Sequence, residues 1–179
     1  LIKLKNTHVL LDAKTYQIFK KVSGKGDSRW STVDPNIMFD VAGNSFRKWN
    51  VRTDVTTVLH TFSEGSLEIG SYEGNISVGD RYVLLNVGTL AIVYDIANDV
   101  VLSKKDLGPM DWATMSQSGQ YVVSRPSPQS LGVVVYDLNL NLLRKILNKG
   151  QHGDCGYDAA GNEVYVQMCP LEMSRLDNA

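Results

Sequence analysis

The sequence predicts an all-β fold built from tandem repeats of about 40 residues, and three observations support it. An aspartate or asparagine ends an alternating apolar strand at positions 12, 50, 95, 137 and 177, with gaps of 38, 45, 42 and 40 residues. Glycines at 79, 119 and 161 open a second kind of hairpin, 40 and 42 residues apart. Between these markers the apolar pattern has a period of two residues, which is typical of strands and not of helices.

Repeats of this length with four short strands each are typical of β-propeller blades, in which strand a is innermost and strand d outermost. We expect a partial blade over residues 1–22, full blades over about 28–62, 69–106 and 110–148, and a partial blade over 152–179. Strand a of the second full blade is predicted over 71–77. Because propellers protect their strand edges by closing a ring, we expect the chain to be part of a propeller of about six to eight blades.

Each marker has a physical reason to stand where it does. The short side chain of an aspartate or asparagine bonds backbone amides two residues on and so starts the tight turn between strands c and d. Glycine opens the turn between strands a and b, and Pro35 holds that place in the first full copy. Apolar strands follow, such as "YVLLN" from Tyr82 and "YVVS" from Tyr121. His8 and His60 fall on outer strands, where we expect packed or solvated side chains without chemistry.

Composition excludes several classes of function. The chain has 18 Lys and Arg against 19 Asp and Glu, and no block of like charge. This argues against a nucleic-acid-binding stripe and against a polybasic membrane patch. The apolar runs are far shorter than the roughly 18 residues of a spanning helix, so no membrane insertion is expected. The sequence predicts no cofactor.

The stretch "QHGDCGYD" from Gln151 is the richest in chemistry. In a propeller, the loops that enter strand a and those that join strand b to strand c open on one face, around the central channel. Counting back nine and seven residues from the glycines gives His152 and Asp154, then Met110 and Trp112, then Gly70 and Tyr72. The b–c loops add Asn86, Arg125 and Gln167. The residues that we expect to form a ligand-binding site on this face are His152, Asp154, Arg125, Asp111, Tyr72, Trp112 and Glu73.

Two interpretations of this set stay open. A histidine, carboxylates, an arginine and aromatic rings that converge from separate blades would make a concave polar pocket of the kind that small ligands use. The alternative is that His152 and Asp154 only brace the junction between blades by bonding neighbouring backbone. Cys155 and Cys169 flank the last a–b hairpin, and antiparallel pairing could bring them together. They could form a disulfide or stay as thiols; zinc is less favoured, because paired Cys-x-x-Cys spacings are absent.

The phrases "SGQYVVS", "VYDLNLNLLRK" and "YDAAGNEVYV" resemble the TolB-like and lactonase-like propeller repeats of bacterial periplasmic and secreted proteins. The resemblance covers nearly the whole chain. It implies a periplasmic or extracellular propeller that binds a carbohydrate or protein partner, and an oxidising compartment in which a Cys155–Cys169 disulfide would persist.

The same architecture also hosts other functions, so the fold alone does not choose among them. One alternative is a polysaccharide lyase that acts on an acidic polysaccharide. In that case His152 or Tyr72 would transfer the proton, and Arg125 would neutralise the uronate carboxylate. Another alternative is a purely structural module of a larger protein.

Overall fold

A computed structural model of the chain describes residues 2–4, 7–12, 14–23, 28–69, 75–127, 132–146, 153–168 and 171–177. These residues form five antiparallel sheets, each made of strands that follow one another along the chain. In the described part of the chain, no helix has the length and apolarity needed to cross a bilayer. The predicted all-β class with four-stranded antiparallel blades is confirmed.

The strands occur in the following order. Sheet 1 contains β1 (Ile2–Leu4), β2 (Thr7–Leu11) and β3 (Ile18–Ser23). Sheet 2 contains β4 (Ser28–Trp30), β5 (Ile37–Ala42), β6 (Ser45–Asn50) and β7 (Thr56–Thr61). Sheet 3 contains β8 (Glu68–Ile69), β9 (Tyr82–Val87), β10 (Leu90–Asp95) and β11 (Val100–Asp106). Sheet 4 contains β12 (Met110–Met115), β13 (Tyr121–Pro126), β14 (Val133–Asp137) and β15 (Leu142–Ile146). Sheet 5 contains β16 (Gly153–Tyr157), β17 (Glu163–Met168) and β18 (Leu171–Arg175).

Apolar layers lie between successive sheets. Leu10 and Trp49 belong to the layer between sheets 1 and 2. A larger layer between sheets 2 and 3 contains Phe46 and Tyr94, whose rings meet edge to face at 5.7 Å. Further layers join sheet 3 to sheet 4 and sheet 4 to sheet 5. Both faces of sheets 3 and 4 are therefore buried, which explains why their b and c strands are largely apolar.

The turns form as the sequence predicts. Asp95 accepts hydrogen bonds from the backbone amides of Ala97 and Asn98, at 3.0 and 3.1 Å. Asp12 and Asn50 bond the amides two and three residues on in the same way. These side chains begin the turn after strand c, so the prediction drawn from the 40-residue spacing is confirmed for these turns.

The inner strand of sheet 3 differs from the prediction. The predicted strand over 71–77 lies largely outside the described residues, and the two-residue strand β8 precedes it, with Glu68 opposite Asn86. A single bridge then joins Ile76 to Val83. Residues 70–74 lie outside the described part of the chain. The inner strand of this sheet thus begins earlier than the glycine count implied.

Candidate functional site

The register identifies the two ends of the sheets. Glu68 lies opposite Asn86, Trp112 opposite Arg125, and Gly153 opposite Gln167. The start of each of these inner strands is therefore beside the end of the next strand. We call this end of the sheets the entry end, and the opposite end, where the glycine turns lie, the a–b end.

Arg125 and Asp111 come together at the entry end of sheet 4. Arg125 is 7% exposed, and its Nε lies 3.6 Å from Oδ2 of Asp111. Asp111 sits at a β-bulge between Met110 and Trp112, so the carboxylate leaves the regular alternation of the strand. The buried cation thus has a carboxylate partner within its own sheet.

Trp112 packs against the next sheet. Its ring lies roughly parallel to that of Tyr165, with the centroids 6.3 Å apart and an angle of 23° between the rings. Both rings are buried in the layer between sheets 4 and 5. The Tyr165 hydroxyl lies over Gly153, where an added Cβ would stand only 2.3 Å from that oxygen. Trp112 therefore braces two sheets, and Gly153 is required to be a glycine by this close approach.

Sheet 3 presents a different pair at its entry end. Glu68 is exposed and lies opposite Asn86, which is 7% exposed. The carboxamide oxygen of Asn86 is buried, and among the described residues no hydrogen-bond donor reaches it. Counting back from Gly79 had pointed to Tyr72 and Glu73 instead. Those two residues lie outside the described part of the chain and stay a prediction, whereas β8 lies further from the glycine turn than the inner strand of sheet 4 does.

The other predicted residues have these positions. His152, Tyr72, Glu73 and Cys169 lie outside the described residues. Asp154 lies on β16 opposite Val166. By register, the residue of β16 that corresponds to Trp112 is Gly153, so Asp154 lies one residue further into its strand than predicted. This shift arises in the a–b turn: six residues separate Met115 from its partner Val122 in sheet 4, whereas five separate Tyr157 from its partner Glu163 in sheet 5. Cys155 lies opposite Tyr165. The ligand site around His152 and the disulfide both stay predictions.

The a–b end carries polar contacts that the sequence analysis missed. Asp80, in the glycine turn of sheet 3, accepts hydrogen bonds from the Thr32 amide at 2.6 Å and the Thr32 hydroxyl at 2.9 Å. The Ser31 hydroxyl donates to the same carboxylate. Since Ser31 and Thr32 belong to the a–b turn of sheet 2, this contact joins two sheets. We call it the Asp80 tie.

A second tie joins sheets 4 and 5. Glu163, the first residue of β17, accepts hydrogen bonds from the Ser118 amide at 2.9 Å and the Ser118 hydroxyl at 2.5 Å. The Ser116 hydroxyl lies 3.3 Å from the same carboxylate. We call this the Glu163 tie. The serines beside the repeated glycine indicate hydrogen-bond donors in this turn. The sequence does not show which carboxylate accepts from them.

The Glu163 tie opens onto a cleft of about 230 Å³ between sheets 4 and 5. The residues that line it are Ser118, Gln120, Tyr121, Tyr157, Gly161, Glu163 and Asp177. Burial raises the pKa of Tyr121, and the negative charges of Asp177 and Glu163 raise it further. Burial followed by the charge of Glu163 raises the pKa of Tyr157 as well. The cleft therefore holds neutral phenols beside carboxylates.

Comparison with known proteins supports the fold. No protein-family model matches the chain, and no curated protein matches it. A chain in the crystal structure of a mitotic checkpoint complex superposes with a TM-score of 0.56 at 11% identity, over 84% of this chain and 46% of that one. The Myceliophteria thermophila Cps50 (Swd1) β-propeller domain superposes with a TM-score of 0.61 at 9% identity, over 95% of this chain and 65% of that one.

These likenesses and the five sheets together show a β-propeller fold, and the predicted fold is confirmed. The chain spans less than two thirds of the length of either structure, which is consistent with a segment of a larger propeller. The two structures do not support the bacterial secreted type, so that resemblance stays a prediction. A propeller of this kind is suited to binding a ligand or partner, or to a structural role.

Proposed function

We propose that this chain is a propeller module that binds a protein partner at its entry end. One observation carries the proposal: an exposed carboxylate at the start of an inner strand lies beside a polar residue that ends the next strand, in two consecutive sheets. The pairs are Glu68 with Asn86 and Asp111 with Arg125. Carboxylates repeated around a channel mouth give a partner several polar contacts at once.

Asn86 adds a buried polar group to the entry end of sheet 3. Asn86 and Leu84 share a face of β9, and Leu84 belongs to the layer between sheets 3 and 4. Asn86 therefore faces the start of β12. Buried polar atoms in native proteins nearly always have a hydrogen-bond partner, and the lack of one costs about 1–3 kcal/mol. Since this oxygen is itself shielded from solvent, a partner would contact the exposed Glu68 that lies opposite Asn86.

The described residues distinguish this proposal from the alternatives. Arg125 is buried and forms an ion pair with Asp111, and this pair stabilises sheet 4. The lyase alternative depends on His152 and Tyr72, which lie outside the described residues, and no other observation favours it. One of the similar structures is a chain of a mitotic checkpoint complex, and a partner-binding role agrees with that setting. Our proposal keeps the predicted periplasmic or extracellular location, which fractionation of the source cells would test.

The test uses a panel of immobilised synthetic peptides of basic, acidic and apolar composition, probed with the purified chain. We expect binding to a subset of peptides, and the double variant Glu68→Gln/Asp111→Asn to bind that subset about tenfold more weakly, a loss of ~1.4 kcal/mol. The matched control is Lys145→Gln, which removes one exposed charge from the outer strand β15.

The control should bind and melt as the wild type does. The double variant should melt at a lower temperature, because Asp111→Asn removes the charge that pairs with the buried Arg125 guanidinium, so binding is compared at a temperature at which all three proteins are folded. Binding that is equal in the double variant and the wild type would overturn the proposed face. Failure of the wild type to bind any peptide would instead favour the purely structural module.

A further inference from the structure

The cleft at the Glu163 tie differs from the entry end in both position and chemistry. It lies at the a–b end, because Glu163 starts β17 opposite Tyr157, the last residue of β16. Its volume of about 230 Å³ can take one long side chain but not a large ligand. It is bounded by two sheets, so its walls are held by the apolar layer that contains Tyr121 and Tyr165.

The charge in the cleft is negative. Asp177 forms an ion pair with Arg175, in a two-pronged arrangement through Nε and Nη2 of the guanidinium. Glu163, in contrast, has no ion-pair partner in the described part of the chain, and its carboxylate accepts bonds only from uncharged donors there. One carboxylate charge is thus fixed in place by Ser118 and left unbalanced.

The aromatic residues of the cleft suit the same class of ligand. Tyr121 and Tyr157 both line it, and Tyr157 is 48% exposed. The face of a phenol ring carries negative potential and attracts a cation that lies within about 6 Å of the ring centre. A carboxylate next to two phenols can therefore hold a cation by charge and by ring contact together, and Gln120 adds a carboxamide at the rim.

From this arrangement we propose that the cleft binds an organic cation of the size of an arginine or lysine side chain. Glu163 is its counter-ion, and Tyr121 and Tyr157 form the walls. In a partner protein such a side chain would enter from the a–b end, away from Glu68 and Asp111. This site is independent of the entry-end proposal, because the two share no residue.

The Asp80 tie serves as an internal reference. Asp80 also accepts hydrogen bonds from a serine and a threonine of the preceding sheet. Tyr82, the nearby tyrosine, has Arg81 over its ring at 4.8 Å, so a cation of the chain itself already occupies that ring face. A substitution at Asp80 therefore changes a tie of the same kind without changing the cleft.

The test is a titration of the full chain with Nα-acetyl-arginine amide and Nα-acetyl-lysine amide, followed by NMR or by tyrosine fluorescence. We expect a Kd in the millimolar range for at least one of them, as befits a single side chain. The neutral analogue Nα-acetyl-glutamine amide should bind at least tenfold more weakly. The two cationic probes distinguish a guanidinium from an ammonium as the preferred group.

Three variants complete the test. Glu163→Gln keeps an oxygen that can accept from Ser118 but removes the charge, and should weaken binding of the cation at least tenfold. Tyr157→Phe keeps the ring and should bind nearly as the wild type does, whereas Tyr157→Ala should bind severalfold more weakly. Asp80→Asn should leave binding unchanged. Equal binding of the neutral analogue, or unchanged binding by a folded Glu163→Gln variant, would overturn the proposal.

Discussion

The Asp80 tie and the Glu163 tie use the same chemistry with different results. In each, a carboxylate of the later sheet accepts bonds from hydroxyls and an amide in the a–b turn of the sheet before it. Asp80 is short and lies in the turn itself, with a positive φ of 55°. Glu163 is one methylene longer and lies on a strand, so its carboxylate reaches across a cleft. The same contact is purely structural in one place and a candidate site in the other, because only the longer side chain leaves space beside it.

The glycines of these turns give the largest expected effect. Gly119 and Gly161 have nearly the same φ, 76° and 83°, so alanine is strained at either position. A Cβ on Gly119 would lie 2.7 Å from the Cβ of Ser77, in the preceding sheet, whereas a Cβ on Gly161 would meet nothing within 4 Å. We expect Gly161→Ala to lower the free energy of unfolding by about 1–2 kcal/mol and Gly119→Ala by about 3 kcal/mol or more, because overpacking adds to the strain.

Urea denaturation of both variants measures this difference directly. Equal losses would mean that the turns are alike and that sheet 3 does not press on the turn of sheet 4. A larger loss in Gly161→Ala would reverse the assignment of the tight contact.

Asp80 and Glu163 come next in expected effect. Asp80→Ala removes the acceptor for Ser31 and Thr32 and places alanine at a positive φ, so we expect a loss of about 2–3 kcal/mol. Glu163→Ala removes an acceptor from a strand with ordinary geometry, and we expect about 1 kcal/mol. Asp80→Asn is the matched control, since asparagine tolerates the left-handed conformation and keeps one accepting oxygen. Chemical denaturation checks the order, and a smaller loss in Asp80→Ala than in Glu163→Ala would contradict it.

The fold could be predicted from the sequence because its signals are local. Asp95 bonds amides only two and three residues away, and the turn that results repeats with each sheet. The apolar alternation between turns then assigns each strand to a buried layer, as with Leu84 and Val93 between sheets 3 and 4. A chain built from such units shows its architecture without any long-range information.

The site could not be predicted to the same degree, because it depends on register and on contacts between sheets. The a–b turn of sheet 4 is one residue longer than that of sheet 5, which offsets their inner strands by a residue relative to the glycines. The early start of β8 puts Glu68, and not Tyr72, opposite Asn86. The Asp80 tie joins Asp80 to Thr32, which lies 48 positions earlier in the chain, and the sequence around either residue does not indicate that the two are in contact. Insertions and long-range pairs of this kind leave no periodic signal.

Thr114 allows a test of the apolar layer between sheets 4 and 5. It lies on β12 and shares a face with Trp112, in the layer that supports the Glu163 tie. Its hydroxyl is buried, and no hydrogen-bond partner reaches it among the described residues. Thr114→Val keeps the shape and removes the unsatisfied group, so we expect a gain of about 1 kcal/mol in the free energy of unfolding. Thr114→Ser keeps the hydroxyl and loses a methyl, and should be destabilising; a loss in both variants would show that the hydroxyl has a partner.

The smallest expected effect concerns a third contact, on the outer side of sheets 2 and 3. Asp99 accepts a hydrogen bond from the Tyr94 hydroxyl at 2.7 Å, and Nδ1 of His60 lies 2.9 Å from the same oxygen. The Tyr94 bond first, and then the His60 contact, lower the pKa of Asp99. A carboxyl whose pKa is lower in the folded state stabilises the fold above its unfolded pKa of about 3.9, and this contribution disappears as the pH falls through the folded value.

Asp99→Asn should therefore lower the urea midpoint slightly at pH 7 and by a smaller amount at pH 3, where the wild-type carboxylate is becoming protonated. Tyr94→Phe removes the main cause of the lowered pKa, so the effect of Asp99→Asn should depend less on pH when it is measured in the Tyr94→Phe variant. An Asp99→Asn effect of the same size at both pH values would mean that Asp99 contributes through hydrogen bonds to Tyr94 and His60 whose strength does not depend on its charge.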